Sequence, residues 1–180
     1  MPENLKLALP SMEYKDRAID YIREFHEYGS QVHGSGSLDR YLRESTYEAW
    51  LEKVRRDMDM ANMPADRVPA LTYFCVRESD ARIVGMVNIR LASPDYIVTE
   101  AGHVGYSVRP TERRQGYATF MLNEAVKVCR MVGIRDVVVG CDAVNAASAG
   151  TIVKCGGVLD AEFYSERFGE VIQRYKIPKQ

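Results

Sequence analysis

The sequence predicts an α+β fold, in which a mixed but mostly antiparallel sheet is flanked by helices. Segments 70–77 and 82–91 are rich in β-branched and aromatic residues, and the short polar turn between them makes an antiparallel hairpin. Segments 103–108 and 135–141 are strands joined by a long amphipathic helix. A helical crossover joins parallel strands, so strands 4 and 5 are expected to form a parallel central pair. A doubly wound dinucleotide fold is not expected, because repeated β–α units and a Gly-x-Gly-x-x-Gly turn are missing.

The N-terminal part is predicted to be mainly helical. A first strand over 5–9 precedes a helix over about 12–28, whose apolar residues recur at helical spacing. Segment 29–44 is rich in Gly and Ser and has two interpretations, a flexible connector or a loop that faces substrate. A Ser-x-x-Glu capping box at 45–48 begins the next helix. This helix is expected to bury Tyr47, Trp50, Leu51, Val54 and Met58.

The C-terminal part alternates helices and strands. The central helix ends near Gly133, and segment 135–141 is a nearly continuous apolar strand of the kind found inside sheets. A short helix follows from about Asn145 to Cys155, and then two strands over 158–164 and 171–177. The predicted order is β–α–α–β–β–β–α–β–α–β–β in one domain, residues 1–180. The core-facing stripe of the central helix is expected to contain Ala118, Met121, Leu122, Ala125, Val128, Cys129 and Val132.

Composition excludes several function classes. The chain has 180 residues and a net charge of −1, so general nucleic-acid binding is not expected. Its apolar runs are too short to span a membrane, and its first residues do not resemble a signal peptide. The three histidines show no metal-ligand spacing, so no metal is expected. Reduced core cysteines indicate a cytoplasmic protein: Cys75, Cys129, Cys141 and Cys155.

The junction between strand 4 and the central helix is the most informative segment. The first N–H groups of a helix lack intrahelical partners and bear a partial positive charge. Gly116 and Ala118 would let an anion approach this backbone closely, and Arg113 and Arg114 add charge beside it. The segment therefore suits a pyrophosphate. The alternative is an ordinary strand–helix connection with a basic turn.

Two motifs resemble the GCN5-related N-acetyltransferase (GNAT) superfamily. Arg113-x-x-Gly116-x-Ala118, after an extended Val-Arg-Pro, resembles its acetyl-CoA-binding motif. Asn145-x-x-Ser148, ahead of a short helix that ends in Gly-Gly, is similar to a later motif beside the pantetheine arm. The element order matches the same superfamily, and more narrowly the chain resembles a bacterial subgroup of predicted acetyltransferases. The resemblance implies a GNAT-like fold and direct transfer of an acetyl group from acetyl-CoA, as co-substrate, to a primary amine.

The resemblance also implies where the co-substrate binds. The pyrophosphate is expected on the backbone amides of about 114–119, and the pantetheine along the exposed edge of strand 4. A backbone N–H there would polarise the acetyl carbonyl. The expected cofactor-binding residues are Tyr106, Ser107, Val108, Arg113, Arg114, Gln115, Gly116, Tyr117, Ala118, Thr119, Asn145 and Ser148.

The candidate catalytic groups depart from the family pattern. Many GNAT enzymes place an acidic tyrosine about seven residues after the motif Asn, but this chain has Ile152 there. Tyr164 is the candidate acid further along, and solvent is the alternative proton source. His103 is the candidate base, with Glu100 acting through water as a second candidate. The alternative for His103 is a structural, hydrogen-bonded residue at the start of the strand.

The acceptor is expected to be a small-molecule or peptide amine, with neither nucleic acid nor membrane as a partner. A homodimer stays open. Two other functions also stay open at this point. One is a catalytically degenerate GNAT domain that binds acyl-CoA for regulation or sensing, which the absent tyrosine favours. The other is an unrelated α+β binding domain, which would not bind CoA at all.

Overall fold

A computed structural model of the chain describes residues 4–61, 63–64 and 67–179. The α+β class is confirmed, and the predicted element order is correct except for one additional helix, α2. Short 3₁₀ turns lie at Met12–Tyr14 and Pro110–Glu112, and a π-helical turn at Ile97–Ala101. In chain order the main elements are β1 (Leu5–Ala8), α1 (Lys15–Glu27), α2 (Leu38–Glu44), α3 (Tyr47–Asp57), β2 (Ala70–Arg77), β3 (Arg82–Arg90), β4 (Val104–Val108), α4 (Tyr117–Met131), β5 (Val137–Asp142), α5 (Ala146–Lys154), β6 (Val158–Ser165) and β7 (Glu170–Ile177).

The strands form two antiparallel sheets, with the orders β1-β2-β3-β4 and β5-β7-β6. The predicted parallel pairing of strands 4 and 5 is not confirmed, because β4 and β5 are each the edge of a different sheet. They meet at one point, where the His103 N–H donates to the Val138 carbonyl at 2.7 Å and the Val138 N–H donates to His103 Nδ1 at 2.9 Å. In the described part of the chain no hydrogen-bond ladder follows this contact, so the two strands border an opening.

Helix α4 packs between the sheets and fills the larger core. Its buried residues include Met121, Leu122, Ala125 and Cys129, as predicted, but Ala118 is half-buried and Val132 is 42% exposed. Those two residues lie at the ends of the helix, where the core no longer covers it. A Cβ at Gly85 would lie 2.8 Å from Met121 Sδ, so a larger residue at this position of β3 would displace the end of the Met121 side chain.

Segment 29–44 is not a loop throughout, since α2 occupies its second half. Leu38 is fully buried, and it begins a helical apolar spacing that the Gly- and Ser-rich composition hid. The first half of the segment packs on β4: Ser107 Oγ donates to the His33 carbonyl at 2.5 Å, and a Cβ at Gly34 would clash with the Gly105 carbonyl.

Helix α3 begins one residue later than the predicted capping box. Its N-cap is Thr46, whose hydroxyl accepts from the Ala49 N–H at 3.1 Å. The expected buried face is present, except that Met58 lies at the C-cap and is half-buried. The Trp50 indole donates to the carbonyls of Ser35 and Gly36, at 3.1 Å each, and so holds the turn before α2 in place.

Candidate active site

A cleft of about 820 Å³ occupies the opening between β4 and β5. Its walls also include the start of α4, the start of α5 and the segment 30–34. Of the residues predicted to bind the co-substrate, all but Gln115 line this cleft. Gln115 lies exposed outside the lining. The lining members of that set are Tyr106, Ser107, Val108, Arg113, Arg114, Gly116, Tyr117, Ala118, Thr119, Asn145 and Ser148.

The turn before α4 presents backbone N–H groups to the cleft. Arg114 and Gly116 both have left-handed backbone conformations, with φ of 69° and 87°. A Cβ at Gly116 would have no protein atom within 4 Å, so the space beside this backbone is open. The N–H groups of Ala118 and Thr119, in the first turn of α4, have no protein acceptor among the described residues. The arrangement is that of an anion site with two arginines beside it.

A buried ion-pair network holds this turn against α1. The Arg109 guanidinium is buried and donates to Glu24 Oε2 at 2.7 Å and to Asp20 Oδ2 at 2.9 Å. Glu24 Oε1 accepts from both the N–H and the hydroxyl of Thr111, at 2.9 and 2.8 Å. Burial opposes the charge of Glu24, but the bonds from Thr111 and Arg109 outweigh it and lower the pKa of Glu24. Sequence analysis missed this network, which no local motif indicates.

A second connection crosses the opening from β4 to α5. The Tyr106 hydroxyl lies 2.9 Å from Ser148 Oγ, and Asn145 Oδ1 accepts from the Ser148 N–H at 3.0 Å as the helix N-cap. Burial, with smaller opposing effects of hydrogen bonding, raises the pKa of Tyr106 to about 12. Tyr106 is therefore a neutral hydroxyl that fixes the distance between the two walls.

Glu100, in the π-helical turn Ile97–Ala101, lines the same cleft. Ser165 Oγ donates to Glu100 Oε2 at 2.8 Å and accepts from the Phe168 N–H at 3.3 Å. Ser165 lies at the end of β6 and is 2% exposed. Sequence analysis missed Ser165, because nothing in its neighbourhood along the chain marks it.

His103 does not line the cleft. It is fully buried, and both ring nitrogens are engaged: Nδ1 accepts from the Val138 N–H, so Nε2 bears the proton and donates to Ser93 Oγ at 2.9 Å. Burial lowers the pKa of His103, against the effect of the backbone bond to Val138. This geometry corresponds to the structural interpretation of His103, a joint between the two sheets.

Tyr164 is also outside the cleft lining. It is 58% exposed on β6, where it pairs with Val171 of β7. Ile152, at the position where many relatives have tyrosine, is fully buried in the core beneath Gly157. Neither position therefore places a phenolic hydroxyl at the cleft.

The sequence of the chain matches a family model described as an acetyltransferase (GNAT) domain, over residues 19–158. The chain belongs to the GNAT acetyltransferase family. The predicted family is thereby confirmed, and with it the enzyme class and acetyl-CoA as co-substrate. No curated protein matches the chain significantly in sequence.

Solved structures of GNAT acetyltransferases share its fold. The ribosomal-protein-S5-alanine acetyltransferase from Vibrio fischeri superposes with a TM-score of 0.74 at 16% identity, over 99% of this chain and 94% of that one. The microcin C7 self-immunity acetyltransferase MccE, in complex with acetyl-CoA and AMP, gives 0.72 at 16% identity, over 99% and 93%. A spermidine N-acetyltransferase chimera from Vibrio cholerae gives 0.59 at 15% identity, over 97% and 95%. At these low sequence identities, the structural likeness shows only that the chain has the same fold as these acetyltransferases.

The described residues of this GNAT chain contain no group of His, Cys, Asp and Glu that could hold a metal ion. None of the helices in that part of the chain is long and apolar enough to cross a membrane. Of its four free cysteines, Cys141 reaches the cleft lining at 8% exposure, and burial raises the pKa of its thiol.

Proposed function

We propose that the chain, acting as one domain over residues 1–180, transfers an acetyl group directly from acetyl-CoA to the primary amine of an acceptor. One observation supports this most strongly. The cleft between β4 and β5 brings the anion site at the start of α4 and the carboxylate of Glu100 to the same cavity. The anion site suits the acetyl-CoA donor, and the carboxylate of Glu100 suits the amine of the acceptor.

The donor end follows from charge and backbone geometry. The pyrophosphate of acetyl-CoA would lie on the amides of 114–119, with Arg113 and Arg114 beside it. Its pantetheine would extend along the free edge of β4, past Tyr106 and Ser107, towards the point where the strands meet. A backbone N–H on this edge would stabilise the oxyanion of the tetrahedral intermediate.

The acceptor end follows from the position of Glu100. An ammonium group must lose a proton before its nitrogen can attack the thioester carbon. Glu100, which lines the cleft and whose carboxylate accepts a hydrogen bond from Ser165, would take this proton, directly or through water. When the C–S bond breaks, the nitrogen releases its second proton to solvent to form the amide. The CoA thiolate takes a proton from solvent, because Ile152 is buried and Tyr164 is outside the lining. His103 has no part in this proposal other than joining the sheets.

The amine of the acceptor belongs to a small molecule or a peptide. Proteins of similar structure include one enzyme of each class, a ribosomal-protein-S5-alanine acetyltransferase and a spermidine N-acetyltransferase chimera. In this chain the cleft is also lined by His33, Phe168, Glu170 and Ile172, which supply both polar and apolar contacts.

The proposal is tested by incubating the protein with acetyl-CoA and a panel of primary amines, with mass detection of acetylated product. Glu100→Gln is the matched variant, since it keeps shape and loses the base. Acetylation of at least one amine, reduced at least about a hundredfold in Glu100→Gln, is expected. Binding of acetyl-CoA without turnover of any amine would favour the regulatory acyl-CoA-binding module instead, for which the buried Ile152 is the supporting observation.

A further inference from the structure

Arg90, the last residue of β3, is a half-buried cation that lines the cleft beside Glu100 and Ala101. Its Nη1 donates to the carbonyls of Ala101 and Gly102, at 3.1 and 2.8 Å. A guanidinium has five N–H donors, so these two bonds leave the donors of Nε and Nη2 available. No carboxylate among the described residues pairs with Arg90.

A half-buried guanidinium without a carboxylate partner lowers the stability of the folded protein. Buried or half-buried cations in proteins are usually paired, because loss of hydration is not otherwise compensated. Burial lowers the pKa of Arg90, and the nearby charge of Arg167 lowers it further. Among the described residues, every fully buried polar side-chain atom has a hydrogen-bond partner. The spare donors of Arg90 have no partner among those residues, so they are not fully buried and are accessible to a ligand.

Arg167 supplies a second cation from a different element. It is exposed in the turn between β6 and β7, and its guanidinium lies 5.2 Å from the ring centre of Tyr96 and 6.0 Å from that of Phe168. Phe168 itself lines the cleft. Within the described ranges Arg167 also has no acidic partner. Arg167 itself is not among the lining residues, but its contacts with Tyr96 and Phe168 bring it to the wall beside the π-helical turn whose end bonds to Arg90. An anion bound at that wall would be stabilised by both cations.

We propose that the acceptor amine also bears an anionic group, a carboxylate or a phosphate, which binds to Arg90 and Arg167 while the amine faces Glu100. The inference rests on the proposed function and adds the chemical class of the acceptor. Capping of the π-helical turn explains only the Nη1 bonds of Arg90. It does not account for Arg167, the second arginine without an acidic partner among the described residues, which lies in the turn between β6 and β7.

The test compares amines that differ only in the anionic group. Tyrosine is paired with tyramine for the carboxylate, and phosphoethanolamine with ethanolamine for the phosphate. In one of these pairs the anionic member is expected to have a kcat/KM at least about tenfold higher, the effect of a charge-assisted contact to arginine. Arg90→Gln and Arg167→Gln should each remove most of this preference through KM, with an unchanged Kd for acetyl-CoA. Arg90→Lys should restore part of it, and the exposed Arg23→Gln should leave it unchanged.

A binding measurement keeps the inference separate from the chemistry. Calorimetry on CoA-loaded protein would compare N-acetyltyrosine with N-acetyltyramine, and N-acetylphosphoethanolamine with N-acetylethanolamine. Tighter binding of an anionic member, lost in Arg167→Gln, supports the inference even if no amine is turned over, a result that would count against the proposed function alone. Equal or weaker binding of both anionic members, or a preference that persists in both Gln variants, overturns it.

Discussion

Ser165 donates a hydrogen bond of 2.8 Å to the carboxylate of Glu100, and so joins the end of β6 to the turn that precedes β4. The Phe168 N–H donates to the same serine oxygen at 3.3 Å, which leaves the hydroxyl proton for Glu100. Since Ser165 is buried, this bond holds the carboxylate in one place at the cleft wall. The candidate base is therefore positioned by the second sheet, although it belongs to the turn leading into the first.

Ser165→Ala should lower kcat by roughly tenfold, because one hydrogen bond to a charged group contributes about 1.5–3 kcal/mol and only part of it bears on the position of Glu100. The Kd for acetyl-CoA, measured by calorimetry, should not change. In the double variant with Glu100→Gln, activity should equal that of Glu100→Gln alone, because the serine acts only through the carboxylate. Additive losses would show that Ser165 acts in another way.

Gly116→Ala should weaken acetyl-CoA binding by at least about tenfold, because the added methyl group would occupy the open space beside the backbone where the pyrophosphate approaches. Gly133→Ala is the matched control. Gly133 has a φ of 90° against 87° at Gly116, and a Cβ there would also meet no protein atom, but it follows the other end of α4. Both variants should lose about 1–2 kcal/mol of stability from backbone strain. Equal CoA affinities in the two variants would refute the anion site.

Arg109→Met should lower the free energy of unfolding by about 1.5–3 kcal/mol, since it removes the buried cation that bonds to Glu24, while Arg82 and Thr111 still contact that carboxylate. Arg23→Met is the control, because Arg23 makes a comparable ion pair with Asp20 but is 65% exposed, and it should change stability by less than about 1 kcal/mol. Urea denaturation measures both. Arg109→Met should also weaken acetyl-CoA binding, because Glu24 anchors Thr111 at the start of the pyrophosphate turn.

His103 should contribute to the pH dependence of stability. Burial lowers its folded-state pKa below the value of about 6.5 for the unfolded chain, so below that pH the unfolded state binds more protons. Stability should therefore fall as the pH drops from about 8 to about 5.5, a window above the range where Glu24 titrates. In His103→Gln the protein should be less stable at every pH, with a shallower slope.

The exposed His33→Gln should keep the wild-type slope. The pH dependence of kcat/KM should keep its shape in His103→Gln, because His103 does not reach the cleft. An acidic limb that disappears with His103 would assign it the role of base.

The sequence predicted the parts of the site that are local in the chain. Gly116 and the arginines before it, and Asn145 with Ser148, each lie within a few residues of one another, so their spacing could be recognised before the structure. The Glu100–Ser165 and Glu24–Arg109 contacts join residues 65 and 85 positions apart. No spacing rule reaches such pairs, because they exist only once both sheets and α1 have packed.

The sheet topology shows the same limit. The helical crossover predicted a parallel pair of β4 and β5, but a crossover does not determine how far two strands separate, and the pairing is not confirmed. The strands meet only at His103 and Val138, and beyond that point Tyr106 bonds to Ser148 of α5 across the opening. The opening that creates the cleft therefore depends on side chains that no periodicity reveals.

The most direct test of the central claim is an isothermal titration of the protein with acetyl-CoA, in parallel for wild type, Gly116→Ala and Gly133→Ala. The account predicts saturable binding at one site, weakened in Gly116→Ala and preserved in Gly133→Ala. The absence of acetyl-CoA binding by the folded wild-type protein would contradict it.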